Sequence, residues 1–257
     1  MKLEYDSLNM IVNQQETDQI LLADIIQMFE LLATQPDKII HFVNTDDVKI
    51  MYQQVFFQFM HVLKNDISFQ QLLVQLLRYD RALFIHSLHV TIYALLIGHK
   101  AQLDVAQLIE LAKAALLHDI GKVAVSPTIL YKPAKLTTDE FNQVKEHVLY
   151  GYHYLKSHAI SLSSTILKAV KQHHERLDGS GYPYGATYIH PFAKIVAVAD
   201  VFDALTAERC YKQALPVHEA YRILQLEAQH KIEPKYVNIL MHCISVQSTK
   251  LISIDFP

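Results

Sequence analysis

Glycine, proline and cysteine are scarce in this chain of 257 residues, which holds six, eight and two of them. So little Gly and Pro argues against low-complexity sequence and long disordered stretches. The cysteines, Cys210 and Cys243, form neither a metal-type spacing nor a disulfide framework, which predicts a reducing, cytoplasmic setting. There is no basic excess either: 23 Lys and Arg stand against 26 Asp and Glu, a formal charge of −3. That argues against a broad face for DNA or RNA, but leaves room for a small anionic ligand held by two or three local cations. No apolar run reaches ~18 residues, and the N-terminus lacks a charged-then-apolar leader. Neither a membrane span nor a signal peptide is therefore predicted.

What the chain does have is apolar mass and histidine. Apolar residues make up 51% of it, enough at this length for one large domain with a real core. Fifteen histidines are present. Imidazole is the commonest metal ligand among side chains, so their placement matters more than their number.

The apolar periodicity is helical almost throughout, which predicts an all-α fold. Helices are expected over about residues 18–34, ending before Pro36, over 46–64, and over 68–100 as one or two pieces. Another runs over 104–118, with Asp104 at its start and Gly121 past its end. Thr137-x-x-Glu140 reads as a capping box opening a helix that continues to about Lys156. Ser163 or Ser164 opens the next, and Pro191 sits at the first turn of the one that carries Asp200 and Asp203. Pro216 and Pro234 precede two more. Residues 123–132 are the one candidate for a short extended piece. A soft boundary falls near residues 64–68, dividing a segment 1–65 from a domain over 66–257.

Histidine and aspartate collect at a few helix ends and faces. His86 lies in an apolar helix, His118 and Asp119 in "ALLHDIGK", His147 in "VKEHVLYGY", and His173 and His174 in "KQHHERLDGSGYPYG". Asp200 and Asp203, three apart, share a helix face. Taken singly, His86 and His147 read as core histidines, and His118-Asp119 as a partner for a helix dipole. "KIVAVAD" is too apolar for a solvated face, so its carboxylate needs a buried partner or a chemical task. Taken together, the set meets the need of two first-row divalent ions ~3.5–4 Å apart, several imidazoles with one bridging carboxylate. Asp119 would span both ions. His118, His86 and Asp200 would serve one, and His147, His173 and His174 the other. Nitrogen and oxygen donors without thiolate favour iron, manganese, cobalt or zinc, and such a pair suits phosphodiester hydrolysis.

With those motifs in order, the sequence resembles the HD-GYP family of metal-dependent phosphodiesterases, a branch of the HD hydrolase superfamily. "HDIGK" at 118–122 matches the HD signature, "HHERLDGSGYP" at 173–183 the GYP signature, and "DVFDALTAERCYK" at 200–212 the segment that follows. The likeness spans about residues 78–240. It implies an HD-type helical bundle with extra N-terminal helices, acting on cyclic di-GMP or a related cyclic dinucleotide such as cyclic GMP-AMP. It implies His86, His118, Asp119, His147, His173, His174 and Asp200 as metal ligands, with two divalent ions, Fe or Mn in the first place and Zn, Co or Ni as alternatives. Asp119 and Lys122 would be catalytic, Lys122 at the scissile phosphate or the nucleophile. Gly181 and Tyr182 would line the ligand loop, Arg209 and Lys212 would hold phosphates, and Asp203 would stand behind the ligands. Implied partners are the cyclic dinucleotide and GGDEF-type or other signalling proteins.

Ala82 stands where some members of that family carry a glutamate supporting a third metal. A two-metal centre and a linear dinucleotide as main product, with GMP as a further one, are therefore expected. Residues 1–65 match no input domain; input, homodimerisation and packing are the roles open to them. The competing reading is a low-activity receptor for the same nucleotide.

Overall fold

A computed structural model describes residues 17–31, 34, 46–157, 162–208 and 213–244. Among the described residues every regular element is helical. Residues 17–31 are helical, and then come Asp46–Asn65, Ile67–Tyr79, Arg81–Lys100 and Val105–Leu117. A 3-10 turn, Ile120–Ala124, and one helical turn, Pro127–Leu130, lead to Thr138–Lys145, His147–Ser157, Ser164–Gln172, Pro191–Thr206, Val217–Glu227 and Pro234–Cys243.

Local signals place the ends of these helices. Asp66, Asp80, Asp104, Thr137 and Ser163 each cap a helix by accepting a backbone N–H at its first turn. Asp104–Gln107 and Thr137–Glu140 are both reciprocal capping boxes. Such caps contribute roughly 1 kcal/mol apiece. The predicted span 68–100 is two helices because Asp80 ends one in extended geometry and caps the next.

Two expectations are corrected. Residues 123–132 hold no strand: Val123 lies in the 3-10 turn and Ile129 in the short helix Pro127–Leu130, with Val125 in extended geometry between the two. The run from Thr138 to Lys156 is not continuous either. It ends at Lys145 and restarts at His147, turning that imidazole inward.

Arg81–Lys100 is the central helix, packed against Val105–Leu117 on one side and Pro191–Thr206 on another. By length and hydropathy it is the one described helix that could cross a membrane, contrary to the reading of the apolar runs, but 83% of that stretch is buried within the bundle. Tyr93 meets Phe202 edge-on at 4.9 Å inside this contact. The leading segment shares the same core. Phe29 packs on Phe56 and Phe59, and Phe59 meets Phe69. Lys64 pairs with Glu30 at 3.5 Å, and Arg78 with Asp18. Burying an aromatic ring of this kind is worth roughly 2–3 kcal/mol. The core therefore runs unbroken across residues 64–68.

Candidate metal centre

The helix ends converge on one buried carboxylate. Asp119 is 1% exposed, and its two oxygens face different histidines. Oδ2 lies 3.3 Å from His118 Nε2 and 3.6 Å from His86 Nε2. Oδ1 lies 3.1 Å from His147 Nε2 and 3.8 Å from His173 Nε2. Two donor groups result, His86–His118–Asp119 and Asp119–His147–His173–His174, and Asp119 belongs to both. Asp200 Oδ1 is 3.3 Å from His86 Nε2, at the edge of the first group.

The ring nitrogens are oriented by their surroundings. His118, His147 and His173 each donate Nδ1–H to the carbonyl three residues earlier: Ala115 at 2.7 Å, Val144 at 2.6 Å and Val170 at 2.8 Å. Each sits at a helix end, where such carbonyls are free to accept. His86 Nδ1 donates to Asp203 Oδ2 at 2.6 Å. With the proton fixed on Nδ1, the Nε2 atoms of His118, His147 and His173 present lone pairs to the centre.

That arrangement wants cations. His118 Nε2 and Asp119 Oδ1 are buried without a hydrogen-bond partner. His147 Nε2 and His173 Nε2 face each other at 3.5 Å, lone pair toward lone pair. Buried acceptors left like this cost free energy, whereas ligation of a divalent ion would satisfy all of them. The ionisation states agree. Burial pushes His173 down to about 3, with His118 and His147 adding to the effect, so its ring is neutral at neutral pH. Burial lowers His174 too, with His173 and His147 adding to the effect. Burial would raise Asp119 and Asp200, but Lys122 and His118 beside the former, and His86 beside the latter, hold both carboxyls well below the usual range. Burial lowers His86, yet Asp119, Asp200 and Asp203 together carry it well above the ordinary value.

Around the donors lie the residues that shape access. Lys122 Nζ contacts Asp119 Oδ2 from a position 21% exposed. A cavity of about 330 Å3 adjoins it, lined by His86, His89, Lys122, Leu130, Tyr131 and Asp203 among others. Tyr79 O–H donates to Val125 O at 3.0 Å and Tyr131 O–H to Asp80, which ties the cavity rim to the start of the central helix. Tyr182 stacks on His174 with ring centres 4.6 Å apart and 28° between planes. Burial, with Asp119 and Asp200 nearby, pushes its phenol up.

Every expected ligand is thus at the centre. Asp203 stands behind His86, and also accepts from His89 Nδ1 at 3.1 Å. Gly181 lies in the loop that follows the histidine pair. A Cβ there would come within 2.4 Å of Arg176 N and 2.5 Å of His174 O, so this glycine lets the loop lie on its own backbone. Arg209 and Lys212, the expected phosphate holders, lie outside the described residues, as does Cys210. The sequence reading assigned no role to His89 or Glu175. Glu175 is 2% exposed and accepts the N–H of Tyr184 at Oε1 and of Ala186 at Oε2, both at 2.9 Å. A carboxylate between a histidine pair and a glycine loop was the available signal.

An all-helical bundle with a buried histidine–aspartate centre defines a recognisable class, and comparison with known proteins agrees. The model of the HD domain family matches residues 69–236, and the chain belongs to that family. The "3'3'-cGAMP-specific phosphodiesterase 3" of Vibrio cholerae is 40% identical over 152 residues, 58% of this chain and 33% of that protein. The "Cyclic di-GMP phosphodiesterase response regulator RpfG" of Xanthomonas campestris is 42% identical over 130 residues, 50% of this chain and 34% of that protein. The chain thus spans about a third of the length of these relatives. Among solved structures, an HDG"Y"P protein from Bdellovibrio bacteriovorus shares the fold, with a TM-score of 0.51 at 23% identity, covering 60% of this chain and 50% of the other.

Proposed function

We propose that this chain is a metal-dependent phosphodiesterase that opens a cyclic dinucleotide, cyclic di-GMP or 3'3'-cGAMP, to the linear dinucleotide, with GMP as a further product. One observation carries the reading: Asp119 offers one oxygen to each of two imidazole groups, the donor set of a binuclear centre. The two relatives described above bear the names of phosphodiesterases for these two nucleotides.

His86, His118, Asp119 and Asp200 would hold one ion, and His147, His173, His174 and Asp119 the other. Divalent ions bound there would polarise phosphoryl oxygens and make water acidic enough to attack at neutral pH. Fe or Mn fits this thiolate-free set, with Zn, Co and Ni as alternatives. The chain's own residues do the rest. The helix carbonyls and Asp203 hold the rings in a single tautomer, so no reorientation is needed during reaction. Lys122, at the mouth beside Asp119, neutralises charge gathering on the phosphoryl oxygens. Arg209 and Lys212 grip the phosphates, and Tyr182 packs the nucleotide side of the loop. A cytoplasmic location fits the scarcity of cysteine, two in 257 residues, and the burial of the apolar central helix. Residues 1–65 are read as a packing extension of the catalytic bundle, supported by Phe29 and Phe59 in the shared core.

The test is turnover of cyclic di-GMP and of 3'3'-cGAMP by protein loaded anaerobically with Fe or with Mn, products separated by chromatography. Linear dinucleotide formed by the wild type and absent with Asp119→Ala is the expected result. Tight nucleotide binding without product under either metal would replace the enzyme with a receptor.

A further inference from the structure

The histidines of the centre are not all held in the same way. His118, His147 and His173 are fixed by carbonyls of their own helices, and His86 by Asp203. Among the described residues the His174 ring makes no hydrogen bond. Three rings surround it: His173 with centres 4.1 Å apart, Tyr182 stacked at 4.6 Å and His147 edge-on at 5.2 Å, and of these only Tyr182 comes from the glycine loop.

Tyr182 is itself held by a loop pinned at two points. Its N–H donates to His174 O at 3.1 Å. Behind it, Glu175 is buried and takes the N–H groups of Tyr184 and Ala186, one on each carboxylate oxygen. Gly181 allows the close approach between these points, because any Cβ there would strike the backbone of residues 174–176. A buried carboxylate bonded to two backbone donors is a strong anchor, since charge-assisted bonds are about twice as strong as neutral ones.

We propose that Glu175 is a positioning residue that couples this loop to metal occupancy. Through Tyr182 and His174 it keeps the donor group of Asp119, His147, His173 and His174 in binding geometry. The group of His86, His118 and Asp119 stands without it. The inference rests on the reading of two metal positions that share Asp119. Glu175→Gln sets an amide NH2 against a backbone N–H that now donates to an oxygen. The loop loosens there, Tyr182 leaves the His174 ring, and one of the four donors of that position loses its orientation. Loss of an outer partner of this kind weakens metal affinity roughly 10–100-fold.

The experiment is Mn2+ titration of the metal-free full chain, with free Mn2+ followed by electron paramagnetic resonance and thermal melting run in parallel. Wild type should bind two equivalents. Glu175→Gln and Tyr182→Ala should keep one equivalent at wild-type affinity and bind the other about 10–100-fold more weakly. Tyr182→Phe, which retains the stacking face, should behave as wild type. Two equivalents at unchanged affinity in Glu175→Gln would overturn the proposal, as would equal weakening of both. If Glu175→Gln does not fold, Tyr182→Ala against Tyr182→Phe decides the matter alone. A wild type that binds a single equivalent would instead remove the two-position reading, and this proposal with it.

Discussion

Asp203 Oδ2 accepts a hydrogen bond from His86 Nδ1 at 2.6 Å across 117 residues of sequence. One turn earlier on the same helix, Asp200 Oδ1 lies 3.3 Å from the opposite nitrogen of the same ring. One imidazole is thus held from behind by one aspartate and faces the centre beside the other. Asp203→Asn replaces an acceptor shared by His86 and His89 with an amide that can serve only one of them as acceptor. It should weaken metal binding at the His86 position roughly 10–100-fold and leave the fold intact. Metal content after dialysis, compared with the wild type, checks this. Undiminished content would reduce Asp203 to a packing residue.

The shared carboxylate makes a stoichiometric prediction. His147→Ala removes a donor from one group only, and should leave one firmly held equivalent. Asp119→Ala removes a donor from both, and should leave none that survives dialysis. The chelator response should follow. Ligands that bind only the folded state stabilise it in proportion to the logarithm of concentration over Kd. A chelator should therefore lower the melting temperature of the wild type and leave that of Asp119→Ala unmoved. Equal shifts in both would show that the stabilising metal lies elsewhere.

Gly121 supports the centre by its lack of a side chain. A Cβ at that position would stand 1.9 Å from His147 O and 2.5 Å from Gly151 N, both backbone atoms that cannot swing aside. The 3-10 turn after Asp119 thus lies directly on the helix that begins with His147, and this contact sets the Asp119–His147 distance. Gly121→Ala should destabilise the protein by about 3 kcal/mol, the upper range for overpacking, and should reduce metal content as well. Chemical denaturation midpoints measure the first effect and metal analysis the second. A variant as stable as wild type would mean that the two elements are free to separate.

Much of this was legible in the chain. Capping residues at Asp104, Thr137 and Ser163, and Pro191 at a first turn, act through neighbours a few residues away. The ligand histidines and aspartates were legible for a related reason. Metal chemistry demands particular side chains, and the motifs keep them in short, ordered clusters.

Other features were decided by packing between distant segments. Residues 123–132 suggested an extended piece, but the turn closes onto the helix starting at His147, so Val123 lies in 3-10 geometry and extended backbone returns only at Val125. The break at Glu146 follows from the need to turn His147 toward Asp119. The donors to the Glu175 carboxylate lie nine and eleven residues on, beyond the reach of a local pattern. Composition and local pattern determined an all-helical chain rich in ligands for divalent metal. The motifs already set one carboxylate between two groups of imidazoles; only the tertiary structure decided that Asp119 Oδ2 meets His118 and His86 while Oδ1 meets His147 and His173. A shared ligand is a relation between three helix ends and the second turn of the central helix, and the bundle's packing alone brings them together.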